Sequence, residues 1–592
     1  MDRTIAISEF PELMQFGDTG PFELSINKRE EEKDLLIYSI SLKTDRKSSP
    51  QPITLRWKLP SRHVNGVWKP GGLHDKRLQY DWELEHVKSR ISVNAPVVSV
   101  FGHDDRNVIT FACSDAINLL EMNALLREED QHLYCHLALF TERHPEIFEY
   151  SAELRIDVRE QSFHQSLKDC SQWWESFEAS RPAPVPPLAK LPLYSTWYNF
   201  HQDLEEEILL EECRIAKEMG YDLIILDDGW QTMDTNRGYD YTGDWQPDRF
   251  PDMASFVEKV HETGMKIGIW YSVPFCGKKS KAYQKFKGKF LTENHRWAPV
   301  FDPRYPEVRE HLIGLYTHAV KHWKLDALKL DFIDDFQVYP ETVLTSEDGR
   351  DYANVNEGVD RLLEDAIKAL TEIRPDIAIE FRQQYIGPVM RKFGNMFRAF
   401  DCPIDPVSNR IRITDVKLLC GDSAVHSDML IWHPEEEVEV AALQLLNAFF
   451  GVPQMSVHLR NTSEQYLQMI RHYTSFWKQH ADLIMHGNFI PHNPLGNYPL
   501  LEVEKDGHRI IGVYDEMLAP IGDARINDLL NAKSSANLAI RYDGPESIFL
   551  VRSWDCKGHL KLSKELNLGK GLFELSVPPA GRLRLEKVQQ SM

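Results

Sequence analysis

From Leu193 onward, short apolar runs alternate with longer amphipathic stretches, and this alternation narrows the choice of fold more than any other feature of the chain. Strands that recur with a helical pattern between them form a parallel sheet with crossover helices, because two parallel neighbours cannot be joined by a tight turn. The runs are LYSTWYN from Leu193, DLIILDD from Asp222, MKIGIWYS from Met265, ALKLDF from Ala327, IAIEFR from Ile377, FRAFD from Phe397, VHSDMLIW from Val425 and PQMSVHL from Pro453. Stretches such as LEEEILLEECRIAKEMG, VREHLIGLYTHAVKHW and VEVAALQLLNAFF lie between them and carry the helical repeat of apolar residues. Eight such units suit a closed (β/α)8 TIM barrel better than an open sheet.

The flanks have a different texture. Up to about residue 160 the chain alternates in short β-type segments such as DLLIYSISLK, PITLRWKL and RNVITFACS, broken by turn residues. A helical stretch, QSFHQSLKDCSQWWESFEAS, then leads into RPAPVPPLAKLP, whose prolines cannot continue a helix. Alternation returns after SEQYLQMIRHYTSFWKQHADLI, in RIIGVYDE, SIFLVRSW and RLRLEKV. The expected fold is multidomain, α/β and β. An N-terminal β-sandwich with a helical linker occupies 1–187, a catalytic barrel 188–484 and a small C-terminal β-sandwich 485–592. At 592 residues the chain is too long for a single core, which agrees with that division.

Lys and Arg number 68 against 90 Asp and Glu, a formal net charge of -22 that repels nucleic acid and suits a neutral small molecule. The opening MDRTIAISEFPELMQF lacks a basic segment followed by an apolar one, and no later run is long and apolar enough for a membrane. The 8 Cys show neither CxxC pairs nor zinc-type spacing, which in a chain this long predicts reduced thiols and a cytoplasmic location. Assembly into a homo-oligomer is left open.

In (β/α)8 barrels the C-terminal strand ends hold the active site, and here they are loaded with carboxylates. The second strand ends in LDDGW (Asp227, Asp228, Trp230), the fourth in LKLDF (Lys329, Asp331), the fifth in EFRQQY (Glu380, Arg382) and the sixth in FRAFDCPID (Arg398, Asp401, Asp405). The first strand carries Trp197 and Asn199. Glycoside hydrolysis needs one carboxylate as nucleophile or base, another as proton donor, polar groups for sugar hydroxyls and aromatic faces for the ring. Clustered carboxylates also suit a metal, but no His stands at metal-ligand spacing and Lys329 and Arg382 belong to the same set, so neither metal nor cofactor is expected.

Three blocks together resemble the melibiase-type α-galactosidases, glycoside hydrolase family 36, with more distant similarity to lysosomal-type α-galactosidases and raffinose synthases. The first runs from TWYNFHQDLEEEILLEECRIAKEMGYDLIILDDGWQ through TGDWQPDRFPDMASFVEKVHETGMKIGIWYS. LKLDF resembles the family's Lys-Trp-Asp block, and RAFDCPIDPVSNRIRI its Ser-Asp-x-x-Asp block followed by Arg. The resemblance implies a retaining enzyme that releases terminal α-linked galactose, with Asp331 as nucleophile and Asp401 as acid/base. Asp227, Asp228, Trp230 and Lys329 would line the subsite of the non-reducing sugar. Arg382 is read as replacing an Arg that the family carries in a Cys- and Gly-rich loop, where this chain has IAIEFRQQYIGP. Trp197, Asp405 and Arg410 complete the substrate-binding candidates, and Asp405 is the alternative to Asp401.

Plainer readings stand beside these. Asp334 and Asp335 suit loop or helix-capping positions, and Trp197, Trp230, Trp245 and Trp270 divide between core and sugar site. The lysines at 278, 279, 281, 285, 287 and 289 are expected on a solvated basic surface, with attraction of an acidic aglycone as the sharper alternative. A transglycosylase of the raffinose-synthase kind would use the same aspartates, and a silent carbohydrate-binding barrel is the rival from another class.

Overall fold

A computed structural model describes residues 3–5, 13–83 and 86–588. Eight parallel strands close into a barrel: β1 (Leu193–Ser195), β2 (Leu223–Leu226), β3 (Lys266–Ser272), β4 (Ala327–Asp331), β5 (Ala378–Arg382), β6 (Met396–Arg398), β7 (Ala424–Leu430) and β8 (Val452–Met455). Leu193 pairs with Leu223 on one side and with Gln454 on the other, which seals the ring. The first and sixth strands are shorter than the sequence patterns suggested. After Ser195 the chain turns into a short helix, Trp197–Phe200, because the amides of Tyr198 and Asn199 donate to the Ser456 hydroxyl just past β8 instead of extending the sheet.

Before the barrel, a seven-stranded and a six-stranded sheet enclose a core that includes Trp57, Leu55, Val98, Phe111 and Leu137. Helix Phe163–Glu175 follows, capped by the Ser162 hydroxyl on the Gln165 amide. After the barrel, a seven-stranded and a three-stranded sheet pack around Leu529, Ile540, Val551 and Leu583. Among the described residues no helix is long and apolar enough to cross a membrane.

The two ends of the barrel are built differently. At the N-terminal end, the small or apolar residues Leu193, Leu223, Ala327, Ala378, Met396 and Ala424 cluster around Ala189, whose segment Pro187–Lys190 plugs the opening. The Ala189 carbonyl accepts from His426 Nε2 at 2.7 Å, so the plug is bonded as well as packed. Outside the ring, buried Asp415 in the last turn of helix Pro406–Lys417 joins the barrel to the parts of the chain before and after it. It accepts from Trp68 Nε1 at 2.9 Å and Tyr498 Oη at 2.6 Å, and pairs with Lys76 at 3.3 Å. A buried carboxylate with donors from the regions before and after the barrel fixes their placement on it, since removal of any one leaves an uncompensated polar group.

Asp326, immediately before β4, is the ionic counterpart at the closed end. Burial works against its charge, but His261 at 2.7 Å, the Ile267 amide at 3.0 Å and Arg374 outweigh burial and hold the carboxyl down at about 2. A carboxyl depressed on folding stabilises the fold above its unfolded pKa, and that stabilisation is lost as pH falls toward the folded value. Asp326→Asn should therefore cost about 2 kcal/mol at neutral pH, with the difference from wild type closing between about pH 5 and the folded value near 2. Denaturant melts across that range test it, and a penalty independent of pH would refute the ionic account.

Candidate active site

The chemistry-bearing side chains gather at the C-terminal strand ends, centred on Asp331, the last residue of β4. Its Oδ1 accepts from Arg382 Nε at 2.7 Å, from the Phe332 amide at 2.8 Å and from the Tyr385 hydroxyl. Its Oδ2 accepts from Trp270 Nε1 at 2.9 Å. Burial opposes ionisation of this carboxyl, but Arg382, Lys329 and the Tyr385 and Trp270 donors more than compensate and hold it well below the usual carboxylate range. Arg382 is itself confined, with its guanidinium 5.2 Å from the Phe332 ring centre, 5.5 Å from that of Tyr385 and 4.9 Å from that of Phe400.

Beside this centre lies a second ionic group from β2 and β4. Lys329 and Asp331 are two residues apart on one strand and so project to the same side, and Lys329 Nζ reaches Asp227 Oδ2 at 2.6 Å. Asp228 is held by two amides, Gln202 Nε2 on Oδ2 and Gln231 Nε2 on Oδ1, each at 2.7 Å. Burial lifts its carboxyl to about 6, partly opposed by Gln231 and Gln202 and reinforced by the neighbouring Asp227. The next residue, Gly229, has φ +112°, and a Cβ there would stand 2.6 Å from the Gln202 Cα. Glycine is thus required for Gln202 to come close enough to hold Asp228.

Asp401 stands after β6, with 42% of its side chain exposed, and its Oδ1 accepts from Arg398 Nη2 at 2.9 Å. Enclosure of the carboxyl raises its proton affinity, but Arg398, Arg382 and Lys329 prevail and keep it below the ordinary range. Arg398 is fully buried. Its Nη1 lies 2.5 Å from Asp428 Oδ1 and its Nε 3.6 Å from Glu380 Oε1.

The expected residues divide into those gathered at this mouth and those elsewhere. Asp227, Asp228 and Lys329, then Asp331 and Arg382, then Asp401 on Arg398 form three hydrogen-bonded groups at the mouth, which act on one another through their charges. Trp197 lies half-buried at the end of β1, edge-on to His201 and 5.3 Å from the Arg237 guanidinium. Trp230 is wholly buried and works from beneath, donating from Nε1 to the Trp270 carbonyl at 2.8 Å and stacking on Trp245. Asp405 is exposed and caps helix Pro406–Lys417 through the Ser408 amide at 3.0 Å. Arg410 points toward the C-terminal sheets, bonding the Asn497 carbonyl at 3.0 Å and lying 4.2 Å from the Tyr514 ring centre. Its charge is committed to that contact and does not join the set around Asp331.

Four members of the site went unassigned in the sequence reading: Tyr385, Tyr239, Asp428 and the contact of Trp270 with Asp331. Tyr239 packs 5.4 Å from Phe332 and 6.2 Å from Trp270, reached by a loop whose sequence carries no signal of that destination. Asp428 did leave a signal, a lone carboxylate in a strand whose other residues are apolar or small apart from His426. Five of the six lysines between 278 and 289 are exposed, and Lys279 pairs with Asp240 at 3.0 Å and Lys289 with Glu307. Among the described residues, His480, His508 and Asp528 could together meet a metal ion, but Arg584 already donates to both oxygens of Asp528, at 2.9 and 2.7 Å. A cation in that position argues for a protein ion pair.

The Melibiase family model matches residues 165–487, more than half of the chain. Alpha-galactosidase 1 of Pediococcus pentosaceus is 25% identical over 248 residues, 40% of this chain and 32% of that protein. Alpha-galactosidase Mel36A of Lactobacillus acidophilus is 23% identical over the same shares. The matched region thus spans about a third of these relatives. In overall fold the chain is similar to the GH36 alpha-galactosidase AgaA of Geobacillus stearothermophilus, with a TM-score of 0.66 and 15% identity over 99% of this chain and 87% of that one. It is likewise similar to the alpha-galactosidase of Lactobacillus brevis, with a TM-score of 0.65 and 15% identity over 100% and 85%. On the family match, which runs through every strand of the barrel, this chain belongs to the melibiase family.

Proposed function

We propose that the chain is a retaining α-galactosidase that releases terminal α-linked galactose by double displacement. The observation that carries this reading is the state of Asp331, a buried carboxylate kept ionised by Arg382, Trp270 and Tyr385 at the end of β4. A nucleophile must be charged and positioned before substrate arrives. Oδ1 already serves three donors, whereas Oδ2 carries the Trp270 donor alone and is the attacking oxygen. Asp401, two strands on, protonates the departing glycosidic oxygen and then takes a proton from water. Its partly exposed carboxyl gains proton affinity when a sugar covers it, because loss of solvent disfavours the charged form. The two carboxylates supply both the covalent and the proton-transfer chemistry, so no cofactor is needed.

Asp227, Asp228 and Lys329 are assigned to the hydroxyls of the non-reducing sugar. Buried charged groups left unpaired by the wrong epimer are costly, which favours one configuration at the 4-position. The relatives carry α-galactosidase names, and one AgaA variant structure is a complex with raffinose. The eight cysteines are all buried and unpaired, which supports a reducing compartment such as the cytoplasm.

Asp331→Ala should lose at least about 10³-fold in turnover, and azide should restore product as the β-galactosyl azide, because the small anion enters on the face the carboxylate vacates. Activity unchanged, or an α-azide product, would refute the assignment. Asp401→Ala should retain the first step with dinitrophenyl leaving groups while losing natural glycosides, since the former depart without proton donation. Equal loss on both would move the acid/base elsewhere.

Nitrophenyl α-galactoside should be cleaved at least about 10²-fold better than the α-glucoside, with Asp228→Asn narrowing that ratio. Asp228 gains a proton as pH falls through about 6, so KM for the galactoside should rise below that pH in wild type and stay flat in Asp228→Asn. Comparable kcat/KM for the two sugars would sink the galactose assignment while leaving the two-aspartate mechanism intact.

A further inference from the structure

Arg398 is shared. Its Nη2 donates to Asp401 at 2.9 Å and its Nη1 to Asp428 at 2.5 Å, with Glu380 3.6 Å from Nε. Asp428 is completely buried in the middle of β7 and fixed from three further directions. The Cys402 amide donates to Oδ2 at 2.6 Å, the Tyr198 hydroxyl donates to the same oxygen at 2.8 Å, and its own amide donates to Asn409 Oδ1 at 3.0 Å. Elements from β1, β6, β7 and helix Pro406–Lys417 thus converge on a carboxylate that makes no direct bond to the sugar-binding set.

The need for this arrangement follows from the double duty assigned to Asp401, which must give up a proton in one step and recover it in the next. An arginine bonded to Asp401 alone would pin it in the charged form and deny it the acid role. A second carboxylate on the same guanidinium divides that cation's field and returns proton affinity to Asp401. The backbone bond from Cys402, adjacent to Asp401 in the chain, also ties the position of the acid/base loop to β7.

We infer that Asp428 is the positioning and charge-balancing residue of the acid/base, acting on Asp401 through Arg398 and through the Cys402 amide. This inference rests on the reading of Asp401 given above. The titratable and charged groups facing Asp428 are Arg398 and Asp401 from the β6 end, the Cys402 thiol beside them and the Tyr198 phenol from the β1 end, with Glu380 of β5 acting on the far side of Arg398. Burial pushes the Asp428 carboxyl up, and Arg398 with the Cys402 and Tyr198 donors pull against it in favour of the charged form.

The test is the pH dependence of kcat, which reports the acid in the sugar-covered enzyme, on an α-galactoside with a poor leaving group, in wild type, Asp428→Asn, Asp428→Glu and Tyr198→Phe. Neutralising Asp428 places the whole Arg398 charge on Asp401, so the alkaline limb, where the protonated acid is lost, should move to lower pH by about one unit or more. Turnover of the poor leaving group near neutrality should fall about 10-fold or more while α-galactosyl fluoride is largely spared. Asp428→Glu keeps the charge and should leave the limb near its wild-type position. Tyr198→Phe, at a half-buried residue, should fold even if Asp428→Asn does not; it removes a donor from Asp428, whose carboxylate then leans harder on Arg398, and should shift the limb by a smaller amount to higher pH. An unmoved limb in both Asp428→Asn and Tyr198→Phe, or equal losses on both substrates, would reduce Asp428 to a packing role and overturn the inference. Absence of α-galactosidase activity in wild type would instead defeat the reading of the site itself.

Discussion

Everything at the mouth of this barrel depends on the balance of charge between three buried cations and the carboxylates that surround them. Lys329 answers Asp227, Arg382 answers Asp331, and Arg398 lies between Asp401, Asp428 and Glu380. A carboxylate withdrawn from water without a partner would neutralise itself by taking up a proton. Each pairing therefore fixes a protonation state as well as a position. The protein stores charge at its mouth, and it does so on strand ends whose backbone is already committed to the barrel.

The closed end of the barrel is held by close packing and by paired charge. Small side chains there allow close packing around Ala189, and Asp326 is tied to His261 and Arg374 on the flanking helices. Asp415 performs the corresponding task for the whole chain, since Trp68, Lys76 and Tyr498 come from the N-terminal sheets and the segment beyond the barrel. The result is that the loops after β5 and β6 are braced from outside. The Asn94 amide donates to the Gln384 carbonyl at 2.6 Å, and His74 is 2.7 Å from the Ser408 hydroxyl.

The barrel was legible in the sequence because its signal is periodic, and the paired carboxylates because strand ends are short, local patterns. LDDGW and LKLDF each carry their geometry within five residues. What the sequence did not disclose depends on meetings between distant segments. Arg410 and Asp405 sit close to Asp401 in the chain, yet the helix that begins at Pro406 turns the former toward Asn497 and uses the latter as its cap. Trp270 gave no indication that its indole, rather than its bulk, was the functional part, and Tyr385 joins Asp331 only because the chain after β5 folds back. The run VHSDMLIW read correctly as a strand while its one carboxylate passed as incidental. The charge of Asp428 acquires meaning only once β6 has brought Arg398 beside it.

Trp230 shows why proximity to the site and contact with the substrate are separate properties. Its burial removes it from the solvent-facing mouth, but its indole holds the Trp270 carbonyl, and the Trp270 indole in turn holds Oδ2 of Asp331. Rotation of Trp270 would remove the one donor on the oxygen assigned to attack and would disturb Tyr239 and Phe332 packed against it. A second layer of stacked, fully enclosed indoles resists such rotation because a side chain in a close-packed interior has few alternative rotamers. Trp230 reaches the aspartate through Trp245, which stacks on it and lies edge-on to the Trp270 indole at 5.7 Å, so the donor on Oδ2 is held by a ring that touches neither carboxylate oxygen.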